Sequence, residues 1–307
     1  MAWSLPEKRA FRVEEHVVIP MPDGKRLSCR LWLPDSRPAP VVLEYIPYRK
    51  RDGYRALDDI WGAQLASRGI AFARVDIRGT GDSEGVMTDE YSEQELEDGE
   101  ACIAWLSAQR WSNGAVGMRG ISWGGINTLQ IAARRPKALR AIMPMCACDN
   151  RFTGDAHYLG GALLRANFQW GALFKLVMAG PPSHAVAGND WLEAWRTRLQ
   201  ATPDILAQWT SHQRYDRYWQ RGSIAEDYGA IACPVYIVGG LYDSYIDTVF
   251  RLLARLDVPR KGLSVICSPE VSASRISPGA SCNSCRRGFG RTMRPALSRV
   301  TLIVILV

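Results

Sequence analysis

Histidine is scarce in this chain of 307 residues: only His16, His157, His184 and His212 occur, and none follows residue 212. No apolar run approaches the roughly 20 residues that a membrane-spanning helix needs. The closing stretch Val300 to Val307 is apolar but far shorter. Met1 to Phe11 carries Glu7, Lys8 and Arg9 and holds no apolar run of signal-peptide length, so a cytoplasmic location is expected. The eight cysteines, Cys29, Cys102, Cys146, Cys148, Cys233, Cys267, Cys282 and Cys285, are too thinly spread for a stapled domain, and reduced thiols are expected. Cys282 and Cys285 form a C-x-x-C pair, but no second pair or histidine follows to complete a zinc site. No metal and no cofactor are therefore expected.

What is present is an ordinary globular composition, 47% apolar and 22% charged, enough for one core or for one core with an inserted subdomain. The net charge of +7 is concentrated at the end of the chain, where Arg275, Arg286, Arg287, Arg291, Arg294 and Arg299 face the single acid Glu270. A basic tail without interleaved aromatic residues lacks the stacking platform of a nucleic-acid binder, so no nucleic-acid partner is expected. The oligomeric state is left open, and a homo-oligomer is compatible with the sequence.

Along the chain, Val17 to Pro20 and Leu27 to Leu33 flank the turn Met21-Pro22-Asp23-Gly24, the pattern of a hairpin. Val41 to Tyr45 reads as a buried strand and Asp58 to Ser67 as a helix stopped at Gly69. Ile70 to Val75 is a strand ending in the polar loop Asp76-Ile77-Arg78-Gly79. Ser92 and Glu95 form a capping box ahead of a helix that places Leu96, Ile103 and Leu106 at helical spacing. Gly114 to Met118 is a strand, a helix runs from Ser122 to about Arg135, and Leu139 to Met145 is a strand. Strands alternating with helices predict an α/β fold with a mostly parallel, doubly wound sheet.

From about Asn150 to Gly229 the pattern changes. Trp170, Trp191, Trp195, Trp209 and Trp219 sit among helical stretches with no clear strand, which predicts an inserted helical cap. The sheet resumes at Val235 to Val238, a helix covers about Tyr245 to Leu256, and a last strand lies near Leu263 to Ile266. The expected division is therefore 1–149 and 230–263 for the core, 150–229 for the cap and 264–307 for an atypical tail.

Gly120-Ile121-Ser122-Trp123-Gly124 is a G-x-S-x-G elbow between an apolar strand and a periodic helix. That context lets a serine project its hydroxyl from a tight bend, and makes Ser122 the candidate nucleophile of an α/β-hydrolase fold. The start of the following helix aims backbone N–H groups at developing negative charge, so the Trp123 amide is the natural oxyanion donor. The alternative is a glycine-rich turn that merely joins strand to helix. In such a fold the acid follows a later strand. Val238-Gly239-Gly240-Leu241-Tyr242-Asp243 offers Asp243, which also stands where it can cap the next helix; Asp247 is a weaker rival. The histidine of a triad should come after the strand near Leu263, and no catalytic histidine is found there. His157, His184 and His212 lie in the expected cap, where each is expected to be exposed or satisfied in the core; lining the pocket, or serving as the general base, is the alternative.

Taken together, residues 13 to 263 resemble the family of CocE/NonD hydrolases and X-prolyl dipeptidyl-peptidases. The resemblance rests on Pro20 to Gly24, on Asp76-Ile77-Arg78-Gly79-Thr80-Gly81 with Asp82-Ser83-Glu84-Gly85, on Pro47-Tyr48 and on Gly240 to Asp243. It implies an α/β-hydrolase acting on a small ester, amide or short peptide through an acyl-enzyme, with Ser122, Asp243 and an oxyanion hole of Tyr48 and Trp123. The bland reading of Tyr48 is packing beside Pro47. Family members continue into a jelly-roll domain, expected to be absent here, and carry a histidine-bearing segment where this chain reads Ser264-Val265-Ile266-Cys267-Ser268-Pro269. From Ser264 onward there is no Trp, Tyr, His, Lys or Asp, the composition expected of a shifted reading frame. The chain is accordingly expected to be a serine hydrolase impaired by the missing base, the alternative being a non-catalytic binding scaffold.

Overall fold

The computed structural model describes residues 9–265. β1 (Phe11–Pro20) and β2 (Arg26–Pro34) pair antiparallel across the turn at Met21–Lys25. β1 begins well before the apolar run at Val17, because it is an edge strand whose outer face carries charge. Glu15 reaches Arg30 and Arg55, and a register irregularity between Glu14 and Val17 interrupts the ladder. Then follow β3 (Ala39–Ile46), α1 (Arg55–Ala66), β4 (Ala71–Asp76), α2 (Glu93–Ser107), β5 (Ser112–Ile121), α3 (Trp123–Ala133) and β6 (Leu139–Met145).

The stretch after β6 holds a two-residue hairpin, β7 (Tyr158–Leu159) with β8 (Ala162–Leu163), and α4 (Arg165–Met178), α5 (His184–Ala187), α6 (Trp191–Ala201), α7 (Ile205–Ser211) and α8 (Arg217–Gln220). The hairpin is the one departure from an all-helical expectation there, and it is too short for a periodic signal. β9 (Val235–Gly240), α9 (Ile246–Arg255) and β10 (Arg260–Val265) complete the sheet. β10 runs two residues past the boundary expected at 263. The expectations for Cys267, Cys282, Cys285, the jelly roll and the rest of the tail lie outside the described residues.

The strands order as β1-β2-β4-β3-β5-β6-β9-β10, antiparallel from β1 to β4 and parallel from β4 to β10. Successive residues of a strand face opposite sides, so two apolar layers form. Trp32, Val42 and Phe72 meet Leu65 and Ala66 of α1, while Leu31, Leu43 and Ala73 join the main core with Ile103 of α2 and Leu129 of α3. Both layers being covered explains why β4 is buried along its whole length, its charged Arg74 and Asp76 included. Two buried arginines within the sheet are paired: Arg74 with Asp58 at 3.0 Å and Arg119 with Glu44 at 3.4 Å. No helix among the described residues is long and apolar enough to cross a membrane. Parallel strands β3, β5 and β9 end at one edge of the sheet, where an open α/β sheet forms its ligand crevice.

Candidate active site

Ser122 is the single residue between β5 and α3, with φ 54° and ψ −118°. A non-glycine residue at positive φ is strained by about 1–3 kcal/mol and persists only where its surroundings hold it. Here the surroundings are specific. The Ser122 amide donates to the Met145 carbonyl at 2.9 Å, and the Ser122 carbonyl accepts from the Gly125 and Ile126 amides, each at 2.9 Å. Two glycines make the bend possible by their lack of a side chain. A Cβ on Gly120 would stand 2.3 Å from the Gly124 carbonyl carbon, and one on Gly125 would stand 2.8 Å from Ala147 Cβ. The elbow thus leaves Ser122 partly exposed at the start of α3, whose first amides have no partner within the helix.

Tyr48 reaches this serine from the loop after β3: its hydroxyl donates to Ser122 Oγ at 3.2 Å. The loop is fastened by Lys50, whose amide donates to Asp76 Oδ1 at 2.8 Å and whose ammonium meets Asp82 Oδ2 at 2.6 Å. Arg51 Nε donates to the same Asp82 oxygen at 2.6 Å, and the Ser183 amide to Oδ1 at 2.8 Å. Burial opposes ionisation of Asp82, yet the Lys50 charge and these hydrogen bonds outweigh it and hold the carboxyl well below its usual range. The loop spanning residues 76–85, singled out in the sequence for its glycines and acids, is thereby a brace for the tyrosine. Ser83 Oγ accepts from the Ser28 amide and donates to the Asp76 carbonyl, and Arg78 pairs with Asp98 and Asp23.

Trp123 is buried, and its indole donates to Glu95 Oε1 at 2.6 Å. Glu95 also accepts from the Tyr91 amide at 2.8 Å. The Ser92 hydroxyl accepts from the Glu95 amide as expected, but the Glu95 side chain turns to the elbow instead of completing a capping box. Burial pushes its carboxyl up to about 7, against the lowering by the Trp123, Asn127 and Tyr91 donors.

Asp243 lies in the turn after β9. Oδ1 accepts from the Tyr245 amide at 3.2 Å, while Oδ2 is buried and has no hydrogen-bond partner among the described residues. β9 stands next to β6, with Met145 in register with Val238. Met145 also receives the Ser122 amide, so the serine and the aspartate follow neighbouring positions of one sheet edge. Asp247 is solvent-exposed, 3.8 Å from Arg251.

Among the described residues, none of the four histidines hydrogen-bonds Ser122. His157 is buried between Glu90 Oε2 and Asn167 Oδ1, each at 2.8 Å; His212 meets Asp216 Oδ2 at 2.6 Å. His184 is exposed, and His16 lies against Arg51. Burial lowers the His157 pKa, but Glu90 and Asp155 outweigh it and leave it raised. No group of three or more His, Cys, Asp or Glu residues that could hold a metal occurs among the described residues.

Sequence reasoning missed Trp170 of α4 as a site residue. Its ring meets Tyr48 edge-on at 6.3 Å and Trp123 at 6.2 Å. Its position within a tryptophan-rich stretch was the available signal, but nothing in the spacing separates it from Trp191 or Trp195, which stack on each other.

The family model of the X-Pro dipeptidyl-peptidase (S15 family) matches residues 23–269. Cocaine esterase of Rhodococcus sp. (strain MB1 Bresler) is 29% identical over 269 residues, covering 78% of this chain and 46% of that protein. The crystal structure of a CocE/NonD family hydrolase from Staphylococcus aureus is similar with a TM-score of 0.67 at 18% identity, over 85% of this chain and 47% of that one. An alpha-amino acid ester hydrolase gives 0.59 at 24% identity, over 80% and 46%. The fold is that of the α/β-hydrolases, and this chain spans less than half the length of each of these three proteins.

Proposed function

The chain belongs to the X-Pro dipeptidyl-peptidase (S15) family, and from that premise we propose that it is a serine hydrolase scaffold for ester or amide bonds, X-Pro dipeptidyl bonds included. Ser122 Oγ attacks the carbonyl, and the Tyr48 hydroxyl and Trp123 amide receive the oxyanion. The observation that carries this reading is the 3.2 Å hydrogen bond from Tyr48 to a serine held at positive φ. A phenol already at the nucleophile gains strength as the neighbouring oxygen becomes anionic. Asp243 is the acid that orients an imidazole, and its Oδ2, without a hydrogen-bond partner among the described residues, is the atom to which an imidazole N–H would donate. Residues 150–229 form the cap that selects the acyl and leaving groups.

With its histidines at 16, 157, 184 and 212, a polypeptide of this sequence has to deprotonate Ser122 without the usual base, and its turnover is low. Removing one triad member leaves roughly 10³–10⁴-fold acceleration over water from the oxyanion hole and binding. The absence of a histidine hydrogen bond to Ser122 among the described residues favours a second reading, a non-catalytic binding scaffold. Fluorophosphonate labelling and hydrolysis of p-nitrophenyl esters by the protein and its Ser122→Ala variant separate the two. Rates that depend on Ser122 support the hydrolase; equal rates leave the binding scaffold.

A further inference from the structure

The segment Asp89-Glu90-Tyr91, just ahead of α2, fastens the core to the residues between β6 and β9. Glu90 is almost wholly buried. Its Oε2 accepts from Arg151 Nη2 at 2.7 Å and from His157 Nε2 at 2.8 Å, and its Oε1 accepts from the Trp170 indole. Asp89 does likewise with Gln208, Tyr218 and Arg221. Tyr91 holds the segment in an unusual shape. It sits at φ 53°, its amide is taken by Glu95, and its ring packs on Trp123 at 5.1 Å beneath the Arg151 guanidinium. Strain of this kind is retained where the surroundings hold it, and the residue before it, Glu90, has its carboxylate buried among Arg151, His157 and Trp170.

The consequence falls on Trp170. An indole on a helix has alternative rotamers, and a charge-assisted N–H bond to a buried carboxylate selects one of them. The selected one sets the ring edge-on to Tyr48, whose hydroxyl is on Ser122. Trp170, Tyr48 and Ser122 are each partly exposed, whereas Trp123 beneath them is buried.

We propose that Glu90 is a positioning residue that sets selectivity at Ser122: by fixing the Trp170 indole against Tyr48 it holds a flat apolar wall beside the nucleophile, fitted to a flat uncharged group of the ligand. The selectivity rests on the hydrolase reading; the link from Glu90 to Trp170 does not. A merely structural Glu90 would lower stability without acting through Trp170, so the test reads two properties that need no turnover in the full-length protein. These are the solvent-exchange rate of the Trp170 indole proton, by nuclear magnetic resonance, and the dissociation constant of acetophenone, a carbonyl compound that is not cleaved.

Glu90→Gln is expected to speed that exchange and to weaken acetophenone about tenfold, the equivalent of one charge-assisted hydrogen bond. Trp170→Phe keeps a ring and drops the N–H, leaves Arg151 and His157 on Glu90, and is expected to weaken acetophenone similarly. The double variant should be no weaker than Trp170→Phe alone. Unchanged exchange in Glu90→Gln, additive losses, or no acetophenone binding by the parent overturns the proposal. If Glu90→Gln does not fold, unchanged affinity in Trp170→Phe overturns it equally. Failure of Ser122-dependent fluorophosphonate labelling would overturn the hydrolase reading instead, and leaves both of these measurements standing.

Discussion

The hydroxyl of Tyr48 donates to the hydroxyl of Ser122 across 3.2 Å, although 74 residues separate them in the chain. Adjacent strands produce the meeting: β3 and β5 are parallel neighbours, with Glu44 in register with Arg119, so the loops that follow them leave the sheet side by side. Tyr48→Phe removes the donor and keeps the ring against Tyr54 and Trp170. The expected outcome is a Ser122-dependent ester hydrolysis rate lower by roughly 10²–10³, with an unchanged denaturation midpoint. An unaltered rate would show that the phenol only packs.

Asp82 acts on the same tyrosine from further back. It neutralises Lys50, which is buried and whose one other acidic partner among the described residues is Asp76 at 3.9 Å. Asp82→Asn leaves that ammonium poorly paired, and removing one partner of a buried ion pair destabilises by about 3 kcal/mol. The Lys50 amide still holds Asp76, but its side chain is released, so fluorophosphonate labelling should slow along with the loss of stability. The acid limb of stability carries the same signature. A carboxyl held below its ordinary 3.8 contributes fully above that pH and loses the contribution as pH falls further. Urea titrations between pH 2 and pH 6 should show a weaker acid dependence in Asp82→Asn than in the parent.

These two residues also mark what could be read from the sequence. The elbow was legible because its requirement is local: the glycines that admit the bend stand within three positions of Ser122. The alternation of strands and helices was legible for the same reason, each period being carried by one short segment. The brace was not. Asp82 and Lys50 stand 32 residues apart and meet only because β3 and β4 are neighbours, which no local pattern specifies. Glu90 is harder still. In the sequence it is one acid among several before α2, and its burial depends on Arg151, His157 and Trp170 arriving from the far side of β6. Ser92 and Glu95 show a correct local signature hiding a second role, since the Ser92 hydroxyl takes the Glu95 amide while the Glu95 carboxyl turns away to Trp123.

Glu95 yields a pH prediction of opposite sign to that of Asp82. Its carboxyl is raised by burial from an ordinary 4.5 to about 7, so between those values the folded state binds a proton that the unfolded state releases. Its contribution to stability is complete below about pH 4.5 and is lost as pH rises through about 7, by an amount on the order of 3 kcal/mol. Glu95→Gln keeps an oxygen for the Trp123 indole and cannot ionise. Denaturation midpoints of the parent should therefore fall relative to those of Glu95→Gln between pH 5 and pH 8. Parallel curves would mean that Glu95 is ionised throughout.

Asp243 and Ser122 together predict that a base can be supplied from outside. Asp243 Oδ1 is occupied by the Tyr245 amide, but Oδ2 is buried without a hydrogen-bond partner among the described residues, an expensive state for a carboxylate oxygen. An imidazole donating to Oδ2 through one nitrogen could accept the Ser122 proton at the other, the relation that a triad histidine has to its acid and its serine. Free imidazole added to the protein should raise p-nitrophenyl acetate hydrolysis beyond the uncatalysed imidazole reaction measured in parallel. The increment should saturate with imidazole concentration and should follow its neutral form, rising with pH through about 7. Ser122→Ala should abolish the increment. Asp243→Asn should reduce it by roughly 10-fold or more, because an amide orients imidazole less well and does not stabilise imidazolium. Equal increments in the parent and Asp243→Asn would remove Asp243 from the proposed machinery and turn attention to how else Ser122 could lose its proton.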